Sequence, residues 1–529
     1  MKRNEVRFLF FLVALLTVCL AGAFVQYRTA IKHSFPEGDE GPWLRMAARA
    51  GTNNFLKSLV IEHDLYPQRT LPHPEDNRSP LYPLLLHIGN FFSADLFRGA
   101  QYVNILLFLI CIVTTGYLLK NKIGALETIL FCSIVGVSPI FIINTAHIYN
   151  DVVIAFSFFA ALFGAISTPE SRLRAIMSGF LCGLFFLMKL SAIFVIPLFL
   201  LPFLPHIKER ETQLRLILFL APCILLTLPW MLRNIHLFGS PFHQFTGYAM
   251  WTDSVKEVFG VNLPTAPSMK HYVATHGIFF TFIVRPAIGF QHLIGQLLTH
   301  DHYLTPALLV FVPFGIIRLR CHRSFWQNAV LFSLPYLFLM AHVAYGFWVD
   351  RYLLLYYLLI YLLAATGLIY LSNILAQFIS ARLLYHAPGQ KIPRSNLLRF
   401  TFLCVFSLLP LSQVVRPLEY YISSRGSETL IDRDARILIT ALTPIVADNE
   451  AVFSTFVSGY SFLHDLRVVN AIEVGCADNF SQLQKSYNIR YAAIDTVRDE
   501  ELLDSLHSWI VEQQVYPVLK QGNFAVFKW

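Results

Sequence analysis

Asp39 and Glu40 form an adjacent acidic pair a few residues beyond the first apolar run, and Arg78-Ser79-Pro80-Leu81-Tyr82-Pro83 closes the same polar stretch, residues 34–83. Carboxylates so placed can take a proton from a nucleophile, and an arginine can hold a phosphate with its forked donors. Further along, His147 with Asn150-Asp151, then Lys189, Arg233-Asn234 and Asp350-Arg351, each stand at the end of an apolar run. Ionisable groups beside a bilayer are costly unless they are paired, solvated or functional, so the set is a candidate site. A base suits attack by a hydroxyl or amine on an anomeric carbon, and cations suit the phosphate that departs. Transfer of a sugar from a lipid phosphate needs both and no soluble cofactor.

The elements that must position these residues are read from hydropathy. The chain has 529 residues, 55% of them hydrophobic and only 14% charged, with a mean hydropathy of +0.54. That composition belongs to a multi-span membrane protein and not to a soluble fold. The net charge of +8 comes from short basic clusters between apolar runs, the pattern of cytoplasmic membrane loops, which argues against a nucleic-acid partner.

Residues 8–25 predict a first span, and ten more follow at roughly 101–119, 124–144, 150–167, 175–188, 190–205, 214–232, 303–318, 328–347, 352–372 and 400–416, for about eleven transmembrane helices of bilayer-crossing length. Ala21-Gly22-Ala23 mimics a signal-peptidase site, but the run is long for a signal peptide and loop parity needs it as an uncleaved span. With the N-terminus inside, Lys120/Lys122, Arg172/Arg174, Lys208/Arg210/Arg215, Arg318/Arg320/Arg323 and Arg382/Lys391/Arg394/Arg399 fall in cytoplasmic loops. That agreement requires splitting 175–205 into two short spans meeting at Lys189. Asp39, Arg78, Asp151, Lys189, Arg233 and Arg351 then share the outer face.

Two long outer loops are expected, 28–100 and 233–302, the first ending in an amphipathic helix over Leu81 to Phe92 that lies along the interface. The boundary at 416/417 separates a membrane domain, 1–416, from a small C-terminal α/β domain, 417–529, with strand-like runs at 451–456, 491–495 and 523–528 and helix-like runs near 435–446 and 500–513. The fold class expected is thus an α-helical polytopic membrane protein with a small extracytoplasmic α/β domain. Of the eight cysteines, six lie in apolar runs and none shows disulfide or metal spacing.

Each candidate also has an ordinary explanation. Asp39-Glu40 is a solvated loop pair on that view, Asp151 an N-cap, Lys189 a snorkelling lysine, and Arg233 and Arg351 interfacial anchors. His147 lacks a second ligand at metal spacing.

Taken together, the acidic pair, the Arg78 to Pro83 segment, Asn150-Asp151, Lys189-Leu190-Ser191 at a helix break, and Pro229-Trp230-Met231-Leu232-Arg233-Asn234 followed by Phe238-Gly239-Ser240-Pro241-Phe242 resemble the GT-C glycosyltransferases. Within that superfamily the nearest branch is the bacterial one related to protein O-mannosyltransferases and the lipid A aminoarabinose transferase. The resemblance covers residues 1–416. It implies a catalytic acid residue at Asp39 with Glu40 beside it and a second acidic site at Asp151. It places Arg78, Lys189, Arg233 and Arg351 near a lipid phosphate, with Tyr82, His147 and Asn150 positioning substrate. It further implies a polyprenyl-phosphate sugar donor and inversion at the anomeric centre. Gly41-Pro42-Trp43 departs from the Tyr or small residue that many relatives carry after the acidic pair, and bears on acceptor recognition.

The function expected is transfer of a sugar from a polyprenyl phosphate to a lipid, glycan or protein acceptor on the outer face, with Asp39 as base, Asp151 or Glu40 as orienting group, and Lys189 with Arg78 neutralising the phosphate. A divalent metal is known among relatives, but the sequence shows no denser ligand set and none is predicted. A secondary transporter, or a lipid-diphosphate-dependent ligase or polymerase, are the alternatives. A transporter would keep its charges near the midplane and show related halves. A bacterial inner membrane, with the C-terminal domain periplasmic, is the expected location; a reticulum membrane with a lumenal site satisfies the same physics.

Overall fold

The computed structural model describes residues 3–32, 40–58, 60–61, 73–75, 78–162, 171–190, 200–243, 250–253, 268–299, 306–320, 323–346, 350–386, 401, 430–454, 466–470, 484–485, 488–495 and 517–528. Asp39, residues 191–199 of the span expected at 190–205, the 400–416 span apart from residue 401, and the helix-like run at 500–513 lie outside them.

Helix α1 (Arg3–Lys32) is apolar along most of its length and leads to the short α2 (Glu40–Ala48). After two small strand pieces comes α3 (Leu81–His87), continued by a 3-10 turn (Ile88–Phe91). Leu84, Ile88, Phe91 and Phe92 are exposed while Tyr82, Pro83 and Leu86 are buried, the two-sided pattern of an interfacial helix.

Helices α4 (Leu96–Ile123), α5 (Ala125–Val137), α6 (Pro139–Ala146), α7 (Asp151–Leu162), α8 (Arg172–Met188) and α9 (Arg210–Phe238) follow. The run expected as one span at 124–144 is two helices, α5 and α6, bent by 56°. Ser138-Pro139 causes the break, because proline lacks the amide that would continue the α5 ladder. The hydroxyls of Ser138 and Tyr361 share a 2.6 Å hydrogen bond there.

Beyond α9 lie α10 (Met269–His276), a π-helical turn (Phe280–Val284), α11 (Arg285–Thr299), α12 (Val312–Leu319), α13 (Arg323–Gly346) and α14 (Leu354–His386). The outer loop expected over 233–302 contains α10 and α11, and α11 runs along α13. Hydropathy passed over it because Arg285 interrupts the apolar run. The fold buries that guanidinium completely, over the rings of Tyr272 and Tyr345 at 4.5 and 4.9 Å.

Among the described residues four helices are long and apolar enough to cross a membrane, Phe8–Ile31, Leu96–Ile123, Arg210–Phe238 and Arg351–Ile379. Counting each bent pair as one span raises this to six. The chain is a multi-pass membrane protein. Residues of α14 form the centre, packed by α5, α7 and α12.

Small residues let these helices approach closely. A Cβ on Gly179 of α8 would stand 1.9 Å from the Phe219 carbonyl oxygen of α9. Gly99 of α4 faces Gly89 of the interfacial turn, and a Cβ there would stand 2.3 Å from the Gly89 oxygen. Gly99→Leu is therefore expected to lever the interfacial helix off α4 at a cost of about 1–3 kcal/mol, the usual scale of overpacking. A lowered unfolding temperature in detergent checks this, with Leu106→Ala on the exposed face of α4 as the unaffected comparison.

The C-terminal part is a helix on a sheet. Helix α15 (Leu430–Leu442) lays Ala435, Leu438, Ile439 and Leu442 on Val452, Val468, Tyr491, Phe524 and Val526. The strands are β4 (Ala451–Ser454), β5 (Arg467–Asn470), β6 (Ile489–Asp495), β7 (Pro517–Gln521) and β8 (Phe524–Lys528). Pairs β4–β5 and β4–β6 are parallel, whereas β6–β8 and β7–β8 are antiparallel. Gly522, with φ of 57°, makes the tight turn between β7 and β8 that an L side chain would strain. Strands expected at 451–456, 491–495 and 523–528 are present; β5 and β7, short and only partly apolar, carried no sequence signal strong enough to be read.

The polar stretch of residues 34–83 contributes β1 (Lys57–Ser58), β2 (Val60–Ile61) and β3 (His73–Pro74). Antiparallel β1 and β3 form a small ribbon, while β2 joins the C-terminal sheet, whose order is β2-β5-β4-β6-β8-β7.

Candidate active site

Two helix ends meet at the centre of the site. Helix α8 stops at Met188, and Lys189 is extended, with φ of −159° and ψ of 130°. The Asn150 amide donates to the Met188 carbonyl at 2.7 Å, satisfying one of the acceptors that a helix end leaves open. The next residue, Asp151, begins α7. Asn150 thereby locks the end of one helix to the start of another and brings Lys189 to Asp151.

The Lys189 ammonium forms an ion pair with Asp151 Oδ1, and Arg351 Nε lies 3.3 Å from Asp151 Oδ2. Arg351 comes from the 3-10 turn Asp350–Leu353 at the head of α14, and the Tyr336 hydroxyl donates to the Tyr352 carbonyl at 3.3 Å. Aromatic rings flank both cations: Tyr352 lies 5.1 Å from the Lys189 ammonium, and Tyr149 lies 4.3 Å from the Arg351 guanidinium. The Asp151, Lys189 and Arg351 side chains retain 9, 21 and 13% exposure. Lys189 and Arg351 share the Asp151 carboxylate, and both cations remain partly open to approach. Such a group attracts an anion.

Glu40 builds the adjoining wall. It opens α2, is wholly buried, and accepts a 2.6 Å hydrogen bond from the Ile148 amide. His147 Nδ1 stands 3.4 Å from the same oxygen, with the His147 ring stacked on Tyr149 at 5.5 Å. Asn104 of α4 donates to the Thr145 and His147 carbonyls at 2.9 and 2.7 Å, and Gln101 to that of Ala146 at 3.2 Å. The turn that delivers Asn150 and Asp151 is thus held by side chains from two helices, α2 and α4.

Tyr82 is buried, with its hydroxyl donating to Asn104 Oδ1 at 3.0 Å. Its phenol is pushed well above its ordinary value, first by burial and then by the Glu40 and Asp151 carboxylates. It stays a neutral donor at physiological pH and acts on the site through Asn104. The shared influence of Glu40 and Asp151 on this one phenol puts both in its surroundings.

Arg78 is 5% exposed, 3.5 Å from Glu75 Oε1 and 5.6 Å from the centre of the Trp43 ring, which meets Tyr82 edge-on at 5.1 Å. Asp39 precedes Glu40 in the chain and lies outside the described residues.

No family model matches the sequence, and no curated protein matches it significantly. Solved structures do match its fold. ArnT from Cupriavidus metallidurans in the apo state superposes with a TM-score of 0.59 at 12% identity, over 97% of each chain. The same protein bound to undecaprenyl phosphate gives 0.54 at 13%, over 100% of this chain and 98% of that one. The archaeal oligosaccharyltransferase AglB from Archaeoglobus fulgidus, in complex with an inhibitory peptide and a dolichol-phosphate, gives 0.57 at 13%, over 91% and 69%. The chain has the GT-C fold.

Within this GT-C fold the structure joins Asp151, Lys189 and Arg351, and places Glu40, His147, Asn150 and Tyr82 in the wall behind them. Arg233 reaches the segment that carries β1 and β3. Its guanidinium donates to the Glu75 and Leu56 carbonyls at 2.9 and 3.4 Å and to Asn234 Oδ1 at 3.0 Å, over the Trp230 ring at 4.5 Å. It pins the backbone at Leu56 and Glu75 to α9. Arg233→Ala is expected to raise hydrogen exchange of residues 53–58 about tenfold while α4 and α14 stay protected, as for a local opening; unchanged exchange there would show that the pin is dispensable.

Sequence reasoning missed Glu75, Tyr149, Tyr352 and Asn104. Glu75 carried a signal, since it lies three residues before Arg78. The two tyrosines and Asn104 carried none, because tyrosine is frequent in this chain and Asn104 sits inside an apolar run. Among the described residues no group of three or more His, Cys, Asp or Glu could hold a metal ion.

Proposed function

We propose that this chain is a glycosyltransferase that moves a sugar from a polyprenyl-phosphate donor to a lipid, glycan or protein acceptor at the extracytoplasmic face of a membrane, with inversion. The observation that carries the reading is the Asp151–Lys189–Arg351 group at the meeting of two helix ends and the head of α14, which sets two partly accessible cations side by side. The fold shared with ArnT, solved with undecaprenyl phosphate, and with AglB, solved with a dolichol-phosphate, supports a lipid-phosphate donor.

In the proposed step the acceptor hydroxyl or amine attacks the anomeric carbon and gives its proton to Asp39. The bond from that carbon to the phosphate oxygen breaks, and the electron pair leaves with the phosphate. Lys189 and Arg351 stabilise the charge that grows there, an effect worth more in a site sheltered from water. Arg78, held between Glu75 and Trp43, supplies a further cation from the first outer stretch. Asp151, claimed by two cations, orients them instead of taking a proton, and Glu40 fixes the wall. Residues 234–302 and the C-terminal domain cover the site and take part in acceptor choice.

The test is release of free polyprenyl phosphate, followed by mass spectrometry, from a panel of polyprenyl-phosphate sugars given to purified protein with native membrane lipids. Release from one donor identifies the sugar. No release from any donor, with folded protein and a full set of acceptors, overturns the reading.

A further inference from the structure

The C-terminal sheet takes one strand from the opposite end of the chain. Val60 of β2 pairs with Val468 of β5, and Ile61 with Val469, in parallel. On its other side β5 pairs with β4, so β2 covers what would otherwise be an open edge.

A single residue, Leu59, separates β2 from β1. Strand β1 pairs with β3, Lys57 opposite Pro74 and Ser58 opposite His73. The Glu75 amide then donates to the Leu56 carbonyl at 2.8 Å, and Glu75 reaches Arg78 as described. Arg49 of the turn after α2 donates to the Lys57 carbonyl at 3.3 Å. The links from β2 to Arg78 run backbone to backbone and then ion to ion with little chain between, so displacement of β2 passes to Arg78. On the membrane side Arg233 holds the same tile from α9.

We propose that the C-terminal domain is a clamp: by adding Val60–Ile61 to its sheet it positions the first outer stretch, and through the β1–β3 ribbon and Glu75 it positions Arg78 at the site. The role given to Arg78 rests on the proposed function; the clamp itself does not. Val60 and Ile61 are positioning residues on this view. A strand that merely shields the edge of β5 would leave Arg78 indifferent to its loss.

The first test uses the full chain in lipid nanodiscs. Val60→Pro with Ile61→Pro removes both amides of β2 and with them the one that faces β5. Hydrogen exchange of residues 73–83 is expected to quicken about tenfold, as for opening of a local unit, while exchange in α14 does not change. Wild-type exchange at 73–83 in this variant overturns the clamp. Val60→Cys with Val468→Cys is expected to form a disulfide under mild oxidation. Val60→Cys with Val452→Cys is not, because Val452 lies one strand further, about 9–10 Å away, beyond the reach of a disulfide. Failure of the first pair to cross-link in folded protein also overturns it.

The functional link is read from binding of polyprenyl phosphate. Arg78→Ala and the double-proline variant are each expected to weaken it about tenfold, and their combination no further, because both act through one guanidinium. Additive losses overturn the link to Arg78. If the wild-type protein does not bind the probe, the donor assignment falls, while the exchange and cross-linking results still decide the clamp.

Discussion

Asp151→Asn is expected to lower polyprenyl-phosphate release by about two to three powers of ten, the largest single loss at the cation side of the site, since leaving a buried charge uncompensated costs about 3–5 kcal/mol and each ~1.4 kcal/mol is tenfold in rate. Asp151 is the carboxylate between Lys189 and Arg351. Without it the two cations repel, and each long side chain is free to turn toward water. Lys189→Met should cost less, about one to two powers of ten, because Arg351 and Asp151 remain paired. The order of these losses is the diagnostic. If Asp151→Asn is no worse than Lys189→Met, Asp151 is not what holds the cations. Were it instead the base, the acid limb of the pH profile would disappear in the asparagine variant. As a cation anchor it leaves that limb in place at reduced rate.

Asp39→Asn is expected to cut turnover by about two to four powers of ten, the range for loss of a general base, with the KM for donor little changed and the unfolding temperature the same. The adjacent carboxylate should behave in the opposite way. Glu40 is buried and accepts the Ile148 amide, so Glu40→Ala leaves that donor unsatisfied at a cost of about 1–3 kcal/mol. Its unfolding temperature should therefore fall, and Glu40→Gln, which keeps an acceptor, should recover most of it. Thermal unfolding and steady-state kinetics on the three variants separate a chemical role at Asp39 from a structural one at Glu40. Equal loss of turnover in Glu40→Gln and Asp39→Asn, with stability unchanged in both, would reverse the assignment.

The membrane class and the break at Lys189 were legible in the sequence because they follow from local quantities. Long uncharged runs have few other places to go than a bilayer. A lysine inside an apolar stretch, needed as a boundary by the charge of the flanking loops, marks the point where α8 ends. The amphipathic segment from Leu81 and three of the C-terminal strands were readable for the same reason: their periodicity is carried by neighbouring residues.

Partnership was not legible. Nothing near Asn150 or Met188 in the chain says that the amide of one caps the carbonyl of the other, and nothing near Arg351 says that it completes a group begun at Asp151. Arg233 reads as a member of the cation set, yet the structure turns it to the carbonyls of Leu56 and Glu75. Arg285 reads as a break in hydropathy, yet it is wholly buried against aromatic rings. Val60–Ile61 is too short to announce a strand and gains its identity only from β5. Residue type and spacing determined which groups could be charged at the bilayer surface and that the chain must cross it. Tertiary structure decided which of those charges meet, because an ion pair or a strand pair is fixed by two backbones brought together, and each segment of sequence specifies only one of them.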